Sequence, residues 1–506
     1  MGLENIEHVV VVMFENRSFD NLLGWLYDSA NPPQFNIPSD PANPTAFEGL
    51  TPDKYFNSYS PAAGVSKQVA VAQPTQAWPP SCPQANQVPT PDPNEEFDFV
   101  TNQIFGTQNP AAGAIPTMAG FLQDYATAKD VQAPEQIMQT YSPAQAAVIN
   151  QLARSFAVCD HWFAPVPSQT WPNRGFMHTG CSDGHLNNDD SVPYDIPTIF
   201  NILESQGKTW AVFHDTTIIP ALTFVQFLPR LTPLEIHFHK YTAFQQLCTS
   251  ADAALPAQKL PAYSFIEPRF VPEPVPFKLE TDYPSDYHPP HNICRGEQFL
   301  ADVYQSIRSS PYRDKILLVI TFDEHGGCYD HVPPPSGAAQ PDPGTVSRQL
   351  IPGTNIPKFT FDRFGVRVPA IVVSSYVEPG TVFRAAPGEA PFDHTSILAT
   401  LRDWPALNLD QTKFLPSRRI AAAPTLDRVV TRLKGNEIAT WPDITAQCIV
   451  DDTDAPANTP INHLQQSLLA AAKARLTGIP LGIAMVQARG VQTYDDARNF
   501  LQPQAP

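Results

Sequence analysis

Val9-Val10-Val11-Val12-Met13-Phe14 is a continuous apolar run, followed directly by Glu15-Asn16-Arg17-Ser18. A short run rich in β-branched residues is typical of a strand buried on both faces of a parallel sheet. The next segment, Phe19-Asp20-Asn21-Leu22-Leu23, favours a helix. The stretch therefore predicts a strand–loop–helix unit. Its carboxylate and amide lie at the carboxyl end of the strand, where open α/β sheets bind ligands.

Further apolar runs alternate with helical patterns along the chain. The predicted strands are 210–214, 263–266, 316–322 and 368–374, and the predicted helices are 143–158, 198–206, 296–309, 393–403 and 464–476. Strands that alternate with helices favour an α/β fold. We expect a three-layer sandwich, in which a mostly parallel central sheet is flanked by helices.

The chain has 506 residues, of which 56 are proline. Proline concentrates in loops because it fixes φ and lacks a backbone donor, so we expect long loop insertions. Residues 29–98, rich in Pro, Asn and Gln, are predicted to form an insertion or lid. We predict one catalytic domain over residues 1–440 and a helical C-terminal appendage over residues 441–506.

Charge and composition exclude several classes of partner. The net charge of −18 repels nucleic acid and anionic lipid surfaces, and no basic cluster interleaved with aromatic residues stands out. We therefore expect no nucleic-acid partner. A lipid-acting enzyme of this charge would contact a membrane surface only transiently, through local apolar loops. No run approaches the ~20 apolar residues of a transmembrane segment.

The chain ends and cysteines give weaker constraints. No signal peptide is visible at the N-terminus, so we expect either a cytoplasmic protein or an exported protein in processed form. The seven cysteines are scattered and odd in number. At least one thiol must therefore be free within the monomer.

A second strand end carries acidic residues. The run 316–320 predicts a buried strand, and Asp323-Glu324 follows it before two glycines. Two unpaired carboxylates at the edge of a core are costly, and a divalent cation would offset that cost. Together with Glu15 and Asn16, they would form an oxygen-rich shell. Oxygen ligands favour calcium, magnesium or manganese, with zinc as an alternative. The competing interpretation is that both acids cap the following turn.

Eight polar motifs follow one another from residue 9 to about 405, roughly four fifths of the chain. They are Glu15–Asp20, Gln103–Gly106, Thr170–Arg174, Ile266–Arg269, His288–His291, Asp323–Gly327 with Asp330–Val332, Gly365–Pro369 and Asp393–Ser396. In this order they resemble the phosphoesterase family that contains bacterial and plant non-specific phospholipases C and an acid phosphatase. That family lies within the alkaline-phosphatase-like superfamily, which implies the same α/β fold.

The resemblance implies a role for the residues of the two strand ends and for one threonine. Glu15, Asn16, Asp323 and Glu324 match the positions that hold one divalent metal ion. Thr170 matches the nucleophile of the T-x-P-N-R motif. A threonine hydroxyl needs a metal or a base to become nucleophilic. The ion held by the four ligands would meet that need.

The resemblance also implies residues around the substrate. His288 and His394 would act in catalysis, and imidazole is suited to protonating a leaving group near neutral pH. Asn173, Arg174 and His291 would contact the substrate, although the arginine has an equally plain structural interpretation.

One position departs from the family pattern. Related sequences have histidine after Asp-Pro-Gly, whereas this chain has Glu95 in Asp92-Pro93-Asn94-Glu95. Glu95 would contact the substrate or add a ligand. The substrate is therefore less closely defined than the reaction.

The expected function is metal-dependent hydrolysis of phosphate esters through a phospho-threonine intermediate. The substrate would be a phospholipid, cleaved as by a phospholipase C, or a small phosphate ester. The main alternative is an acid phosphatase that acts on soluble phosphomonoesters.

Two remoter alternatives come from other classes of protein. Gly180-Cys181-Ser182-Asp183-Gly184 matches the G-x-S-x-G pattern of serine carboxylesterases, although no buried strand precedes it. A non-catalytic binding protein would be favoured by broken metal ligands, but all four ligands and Thr170 are present.

Overall fold

The computed structural model describes residues 2–73, 87–188, 193–250, 259–274, 281–432, 441–447 and 459–501. Its strands are β1 (His8–Phe14), β2 (Phe35–Ile37), β3 (Phe56–Ala62), β4 (Val65–Ala70), β5 (Ala157–Cys159), β6 (Trp162–Phe163), β7 (Trp210–His214), β8 (Phe238–Lys240), β9 (Tyr263–Glu267), β10 (Glu273–Pro274), β11 (Thr281–Asp282), β12 (Ile316–Phe322), β13 (Ala370–Val373), β14 (Thr381–Phe383) and β15 (Phe392–Asp393). Its helices are α1 (Phe19–Leu23), α2 (Phe97–Phe105), α3 (Phe121–Tyr125), α4 (Ala147–Ser155), α5 (Thr170–Thr179), α6 (Ile199–Ser205), α7 (Leu222–Gln226), α8 (Leu228–Leu231), α9 (Tyr241–Thr249), α10 (Ile293–Arg308), α11 (Thr395–Asp403), α12 (Arg418–Ala422), α13 (His463–Thr477), α14 (Leu481–Ala488) and α15 (Tyr494–Leu501).

A nine-stranded sheet forms the centre of the fold, in the order β2-β14-β5-β13-β12-β1-β9-β7-β8. β13 runs antiparallel to both of its neighbours, whereas the other pairs within this sheet are parallel. Helices flank the sheet. The predicted α/β class and the mostly parallel sheet are therefore confirmed.

The two central strands are the ones whose sequences are most continuously apolar. Every residue of β1 and of β12 is buried, and the two strands pair in parallel from His8 opposite Ile316 to Phe14 opposite Phe322. Strands buried on both faces need side chains such as Val, Ile and Leu throughout. Because Phe14 and Phe322 are paired at the carboxyl ends of the two strands, the residues that follow them leave the sheet side by side.

The longest helix described, α10, illustrates how the flanking helices are held. Its Leu300, Val303, Tyr304 and Ile307 are buried at helical spacing, so one face of the helix packs into the core. Asn292 caps its N-terminus by accepting from the backbone N–H of Cys294. The predicted helix over residues 296–309 is confirmed, with an earlier start.

The predicted helix over residues 143–158 is too long at both ends. The helix α4 covers only 147–155, and residues 157–159 form β5, fully buried between β13 and β14. Periodicity alone cannot separate a short buried strand from the end of a buried helix, which explains the error.

The predicted insertion and the predicted C-terminal segment are both ordered where they are described. β2 joins the edge of the main sheet, and β3 pairs with β4 as a hairpin, while residues 74–86 lie outside the described ranges. The predicted domain boundary at 440 also lies outside them, so this division stays a prediction. Among the described helices, none is both long enough and apolar enough to cross a membrane.

Candidate active site

The carboxyl ends of β1 and β12 bring four polar residues together. The backbone N–H of Asp323 donates to the Phe14 carbonyl at 3.1 Å, and that of Asn16 donates to the Asp323 Oδ1 at 3.1 Å. Glu15, Asn16, Asp323 and Glu324 all have side chains that are inaccessible to solvent. The predicted metal-ligand set is therefore brought together at one sheet edge.

Three of these side chains carry oxygens suited to a cation. Asn16 Oδ1, Asp323 Oδ2 and Glu324 Oε1 are buried and have no hydrogen-bond partner in the described part of the chain. A buried oxygen without a partner is costly unless something else, such as an ion, satisfies it. The residues present therefore fit a bound divalent cation with oxygen ligands.

The charges of the cluster also favour a bound cation. Burial, with Asp323 nearby, raises the pKa of the Glu15 carboxyl well above its usual range, and the same causes act on Glu324. Burial also raises the pKa of Asp323. Carboxylates that are removed from water and placed side by side favour neutral forms unless a cation compensates.

A glycine is required where the chain passes this cluster. Gly326 has φ +61, and a Cβ there would lie 2.3 Å from the Asn16 carbonyl oxygen. Its N–H donates to Glu324 Oε2 at 2.7 Å. Only glycine combines this backbone angle with such close approach, so the Gly326-Gly327 pair after the acids has a geometric cause.

Thr170 lies against this cluster. It is the first residue of α5, and its Oγ1 donates to Glu15 Oε2 at 3.2 Å. Pro172, two residues later, is tolerated because the first N–H groups of a helix have no intrahelical acceptor. The structure thus places the predicted nucleophile in contact with a predicted metal ligand from a segment 155 residues earlier.

Arg174 lies one turn further along α5 than Thr170 and also binds Glu15. Its Nε and Nη2 donate to Glu15 Oε1 at 2.9 and 2.5 Å, and its Nε lies 3.8 Å from Asp323 Oδ2. Its Nη1 is buried without a hydrogen-bond partner among the described residues. The guanidinium therefore offsets part of the negative charge and keeps one donor group for another acceptor.

Asn173 shapes the loop that precedes Thr170. Its Oδ1 accepts from the N–H of Val166, and its Nδ2 donates to the carbonyls of Ser168 and Gln169, each at 2.9 Å. These contacts fix the backbone that presents Thr170. Substrate binding by Asn173 stays a prediction.

Glu95 enters the cluster from outside the central sheet. The Asn16 amide donates to Glu95 Oε2, and Glu95 is 7% exposed. Burial and the neighbouring Glu324 raise the pKa of Glu95 well above its usual range. Glu95, which the resemblance matches to a histidine position, thus reaches the predicted metal shell.

His394 lies directly behind Asp323. Its Nε2 donates to the Asp323 carbonyl at 2.7 Å, and its Nδ1 accepts from Trp162 Nε1 at 3.1 Å. Burial lowers its pKa to about 3, so the ring is neutral. Both nitrogens have protein partners, which makes His394 a support for the strand end, while its predicted catalytic role is untested.

His288 and His291 lie together in the loop before α10. Their ring centroids are 5.6 Å apart. The Nδ1 of His288 donates to the Pro289 carbonyl at 2.6 Å, and the Nδ1 of His291 donates to Asp286 Oδ1 at 2.7 Å. The Asp286 carbonyl in turn accepts from the N–H of Glu15 at 2.9 Å, which joins this loop to the end of β1.

Two further clusters contain residues to which sequence analysis gave no role. Asp20, Asp330 and His331 could offer ligand atoms to a metal, but Arg367 pairs with both aspartates at 2.9 and 3.0 Å. That cluster therefore ties α1 to the loop after β12. Its residues belong to recognised motifs, yet only the fold shows what they contact.

The second cluster contains Asp92, Glu95 and His288, which could also offer three ligand atoms. Asp92 Oδ1 lies 3.5 Å from His288 Nδ1. Because both nitrogens of His288 already have protein partners, we assign no metal to this group. Asp92 was missed because an aspartate in a Pro-rich stretch carries no distinctive pattern.

The serine elbow is absent around Ser182. The residues before it form the helix α5, which ends at Gly180, and the Ser182 hydroxyl donates to the His185 carbonyl at 2.7 Å. A nucleophile elbow needs a strand before the serine and a helix after it. The carboxylesterase alternative therefore lacks its structural context.

Comparison with known proteins agrees with the geometry. A model of the "Phosphoesterase family" matches residues 6–407. "Non-specific phospholipase C3" of Arabidopsis thaliana is 32% identical over 442 residues, which cover 84% of this chain and 74% of that protein. "Non-specific phospholipase C6" of the same plant is 34% identical over 435 residues, 85% of this chain and 72% of that protein.

A solved structure of a protein in the alkaline phosphatase superfamily from Vibrio parahaemolyticus overlaps 56% of this chain and 62% of its own, with 10% identity and a TM-score of 0.27. So distant an overlap adds nothing to the site. The family match, by contrast, spans about four fifths of the sequence and includes every predicted site residue. The chain therefore belongs to the phosphoesterase family and is a phosphoric ester hydrolase.

Proposed function

We propose that this chain is a metal-dependent, phospholipase C-type hydrolase that cleaves phosphodiesters through a covalent phosphate ester on Thr170. The observation that carries the proposal is the hydrogen bond from Thr170 Oγ1 to Glu15 Oε2 at 3.2 Å, beside three buried oxygens that have no hydrogen-bond partner among the described residues. A hydroxyl that donates to a carboxylate is oriented to lose its proton, as an alcohol nucleophile requires.

Glu15, Asn16, Asp323 and Glu324 would hold one divalent cation. When bound, the cation would stabilise the charge that develops on the phosphoryl oxygens and would lower the pKa of the Thr170 hydroxyl. All four ligands offer oxygen, which favours calcium, magnesium or manganese, and zinc is the alternative that metal reconstitution would test.

The residues of the chain would divide the remaining tasks. The Thr170 oxygen bonds to phosphorus while the bond from phosphorus to the leaving alcohol breaks, and Glu15 accepts the threonine proton. Arg174 Nη1, buried and without a hydrogen-bond partner in the described ranges, would donate to a phosphate oxygen. His288, with His291 beside it, would deliver a proton from Nε2 to the leaving oxygen once that nitrogen has taken one up. Water then attacks phosphorus and gives a proton to the neutral His288, while the Thr170 oxygen leaves phosphorus and takes back the proton held by Glu15.

The names of the relatives favour a phospholipid as the substrate. Glu95 replaces a histidine at the cluster, so the head-group contacts of this chain differ from the family pattern. The second candidate, an acid phosphatase for soluble phosphomonoesters, uses the same nucleophile and ligands. A substrate panel separates the two: phosphatidylcholine, glycerophosphocholine and p-nitrophenyl phosphate, each assayed with and without added divalent cation.

The test of the nucleophile compares Thr170→Ala with Thr170→Ser. We expect Thr170→Ala to lose at least about 10³-fold in kcat, because no other hydroxyl takes its place. Thr170→Ser keeps a hydroxyl and should retain measurable turnover. Acid quenching during turnover should trap phosphorus on the peptide that contains residue 170. A Thr170→Ala variant that hydrolyses every substrate at the wild-type rate would refute the mechanism.

A further inference from the structure

The N-terminus of α13 contacts both histidines of the proposed site. Asn462 Nδ2 lies 3.0 Å from His288 Nε2, and Gln465 Nε2 lies 3.5 Å from His291 Nε2. Asn462 lies 174 residues after His288 and beyond residue 407, where the family match ends. The family motifs therefore do not account for these two contacts.

The orientation of both amides is fixed by a capping box. Asn462 Oδ1 accepts from the N–H of Gln465 at 2.8 Å, and Gln465 Oε1 accepts from the N–H of Asn462 at 3.1 Å. Each side-chain oxygen is thus used by the helix end itself. Each NH₂ group is left to face a histidine, so both contacts present donors to the imidazole rings.

The two contacts of His288 agree on one tautomer. The Pro289 carbonyl can only accept, so Nδ1 carries a proton, and the Asn462 amide group can only donate, so Nε2 offers its lone pair. His291 follows the same pattern, with Asp286 Oδ1 as the acceptor at Nδ1. Protonation of Nε2 on His288 would place two donors face to face.

The helix that carries these amides is anchored in the main core. Leu464, Leu468 and Leu469 are buried within the same hydrophobic cluster as the strands of the central sheet. Gln465 Nε2 also donates to the Phe270 carbonyl at 2.8 Å, and the N–H of Ile461 donates to the carbonyl of Gln492, in the loop between α14 and α15, at 3.0 Å. The amides are thus held in place by packing on both sides.

We propose that Asn462 is a positioning residue of this hydrolase: its amide holds His288 in the tautomer that carries its proton on Nδ1 and not on Nε2, and so sets the pH at which His288 takes up a proton. The proposal rests on the proposed function only for its effect on rate. Its effect on the imidazole is a property of the folded protein.

Other charged groups also act on His288 and must stay constant in a test. The groups facing the histidine pair from the surrounding elements are Asp92, Glu95, Asp286, Arg17 and Tyr494. Burial, followed by the neighbouring His291, already lowers the pKa of His288 well below its usual range. Asn462 adds a donor to that environment, which opposes protonation further.

The decisive variant is Asn462→Asp, because aspartate caps a helix as well as asparagine does. Its carboxylate would accept from Nε2 and should raise the titration midpoint of His288 by at least about one pH unit. The midpoint is measured by NMR on protein labelled at the histidine rings, with the His288 signal assigned through its loss in His288→Gln. The alkaline limb of the rate profile on p-nitrophenylphosphorylcholine should move by the same amount.

Asn201→Asp provides the matched control. Asn201 belongs to another capping box, at the start of α6, and its amide contacts the carbonyl of Arg230 rather than a histidine. This variant should leave the His288 midpoint and the rate profile unchanged. Equal His288 midpoints in wild type and Asn462→Asp would overturn the inference. A wild-type protein that hydrolyses no phosphate ester would instead refute the proposed function, while the NMR titration would still decide the role of Asn462.

Discussion

The two sides of the active site are built in different ways. The acidic side comes from the ends of two adjacent strands, β1 and β12, whose parallel register alone brings residues 15 and 323 together. The histidine side comes from the loop 286–291, completed by side chains of α13. Substitutions on the acidic side should therefore change chemistry and leave the fold intact. On the histidine side, the positions of the proposed catalytic groups depend on the packing of α13, which is distant in sequence.

Among the substitutions that compare the two sides, the largest effect is expected for Asp323→Asn, on the acidic side. The change keeps the shape of the side chain but removes a charged candidate ligand, so kcat should fall roughly 10²- to 10³-fold. In the metal-free protein, stability should hold or rise, because one of several buried acidic groups is neutralised. Steady-state kinetics and thermal unfolding of the same preparation measure both quantities.

Asp330→Asn is the control from the same loop. Asp330 is also buried, but it pairs with Arg367 at 3.0 Å, away from Thr170. This variant should lose about 1–3 kcal/mol of stability, because a charged hydrogen bond is weakened, and should keep the rate of each folded molecule. Equal losses of rate in the two variants, with both folded, would show that the acidic side has no special chemistry.

The next effect concerns the cation itself. If the buried oxygens hold a divalent ion, EDTA should lower the melting temperature. Adding the ion back at about 100 times its Kd should raise the free energy of unfolding by about 2.7 kcal/mol. Calorimetry with calcium, magnesium, manganese and zinc in turn would rank the ions. In Asp323→Asn the ion-dependent shift should shrink. A melting temperature that ignores every ion would contradict a metal at this edge.

The contrast between the two sides also explains what the sequence could predict. β1 and β12 are recognisable because each is one unbroken apolar run, and polar residues directly after such runs must meet at the sheet edge. The contacts of Asn173 and His394 were not predictable, since a motif does not show that a side chain is already engaged with backbone groups or a tryptophan. Asn462 was beyond prediction, because its contact depends on the packing of α13.

β5 shows a different limit of prediction. Its three residues continue an apolar stretch from α4, and only the place between β13 and β14 decides that they form a strand. The local sequence pattern carries no information about which two strands a segment will pair with. Tertiary pairing therefore overrides the helical periodicity that precedes it.

The smallest effect concerns access of a lipid substrate. Leu350, Ile351 and Ile356 are 46%, 41% and 58% exposed in a loop whose Phe359 packs on Phe97, two residues after Glu95. A net charge of −18 discourages adsorption to anionic lipid, so apolar side chains near the site would make the contact.

Replacing Ile351 and Ile356 together by glutamate should lower the rate on phosphatidylcholine vesicles about threefold to tenfold, since each exposed isoleucine that enters the lipid would contribute to adsorption. The rate on p-nitrophenylphosphorylcholine, which needs no surface, should not change. Ile236→Glu is the matched control, because Ile236 is 79% exposed next to β8 at the edge of the sheet. If the control slows vesicle hydrolysis as much as the double variant, added negative charge rather than this loop accounts for the loss. A selective loss would instead add a third, lipid-facing side to the acidic and histidine sides.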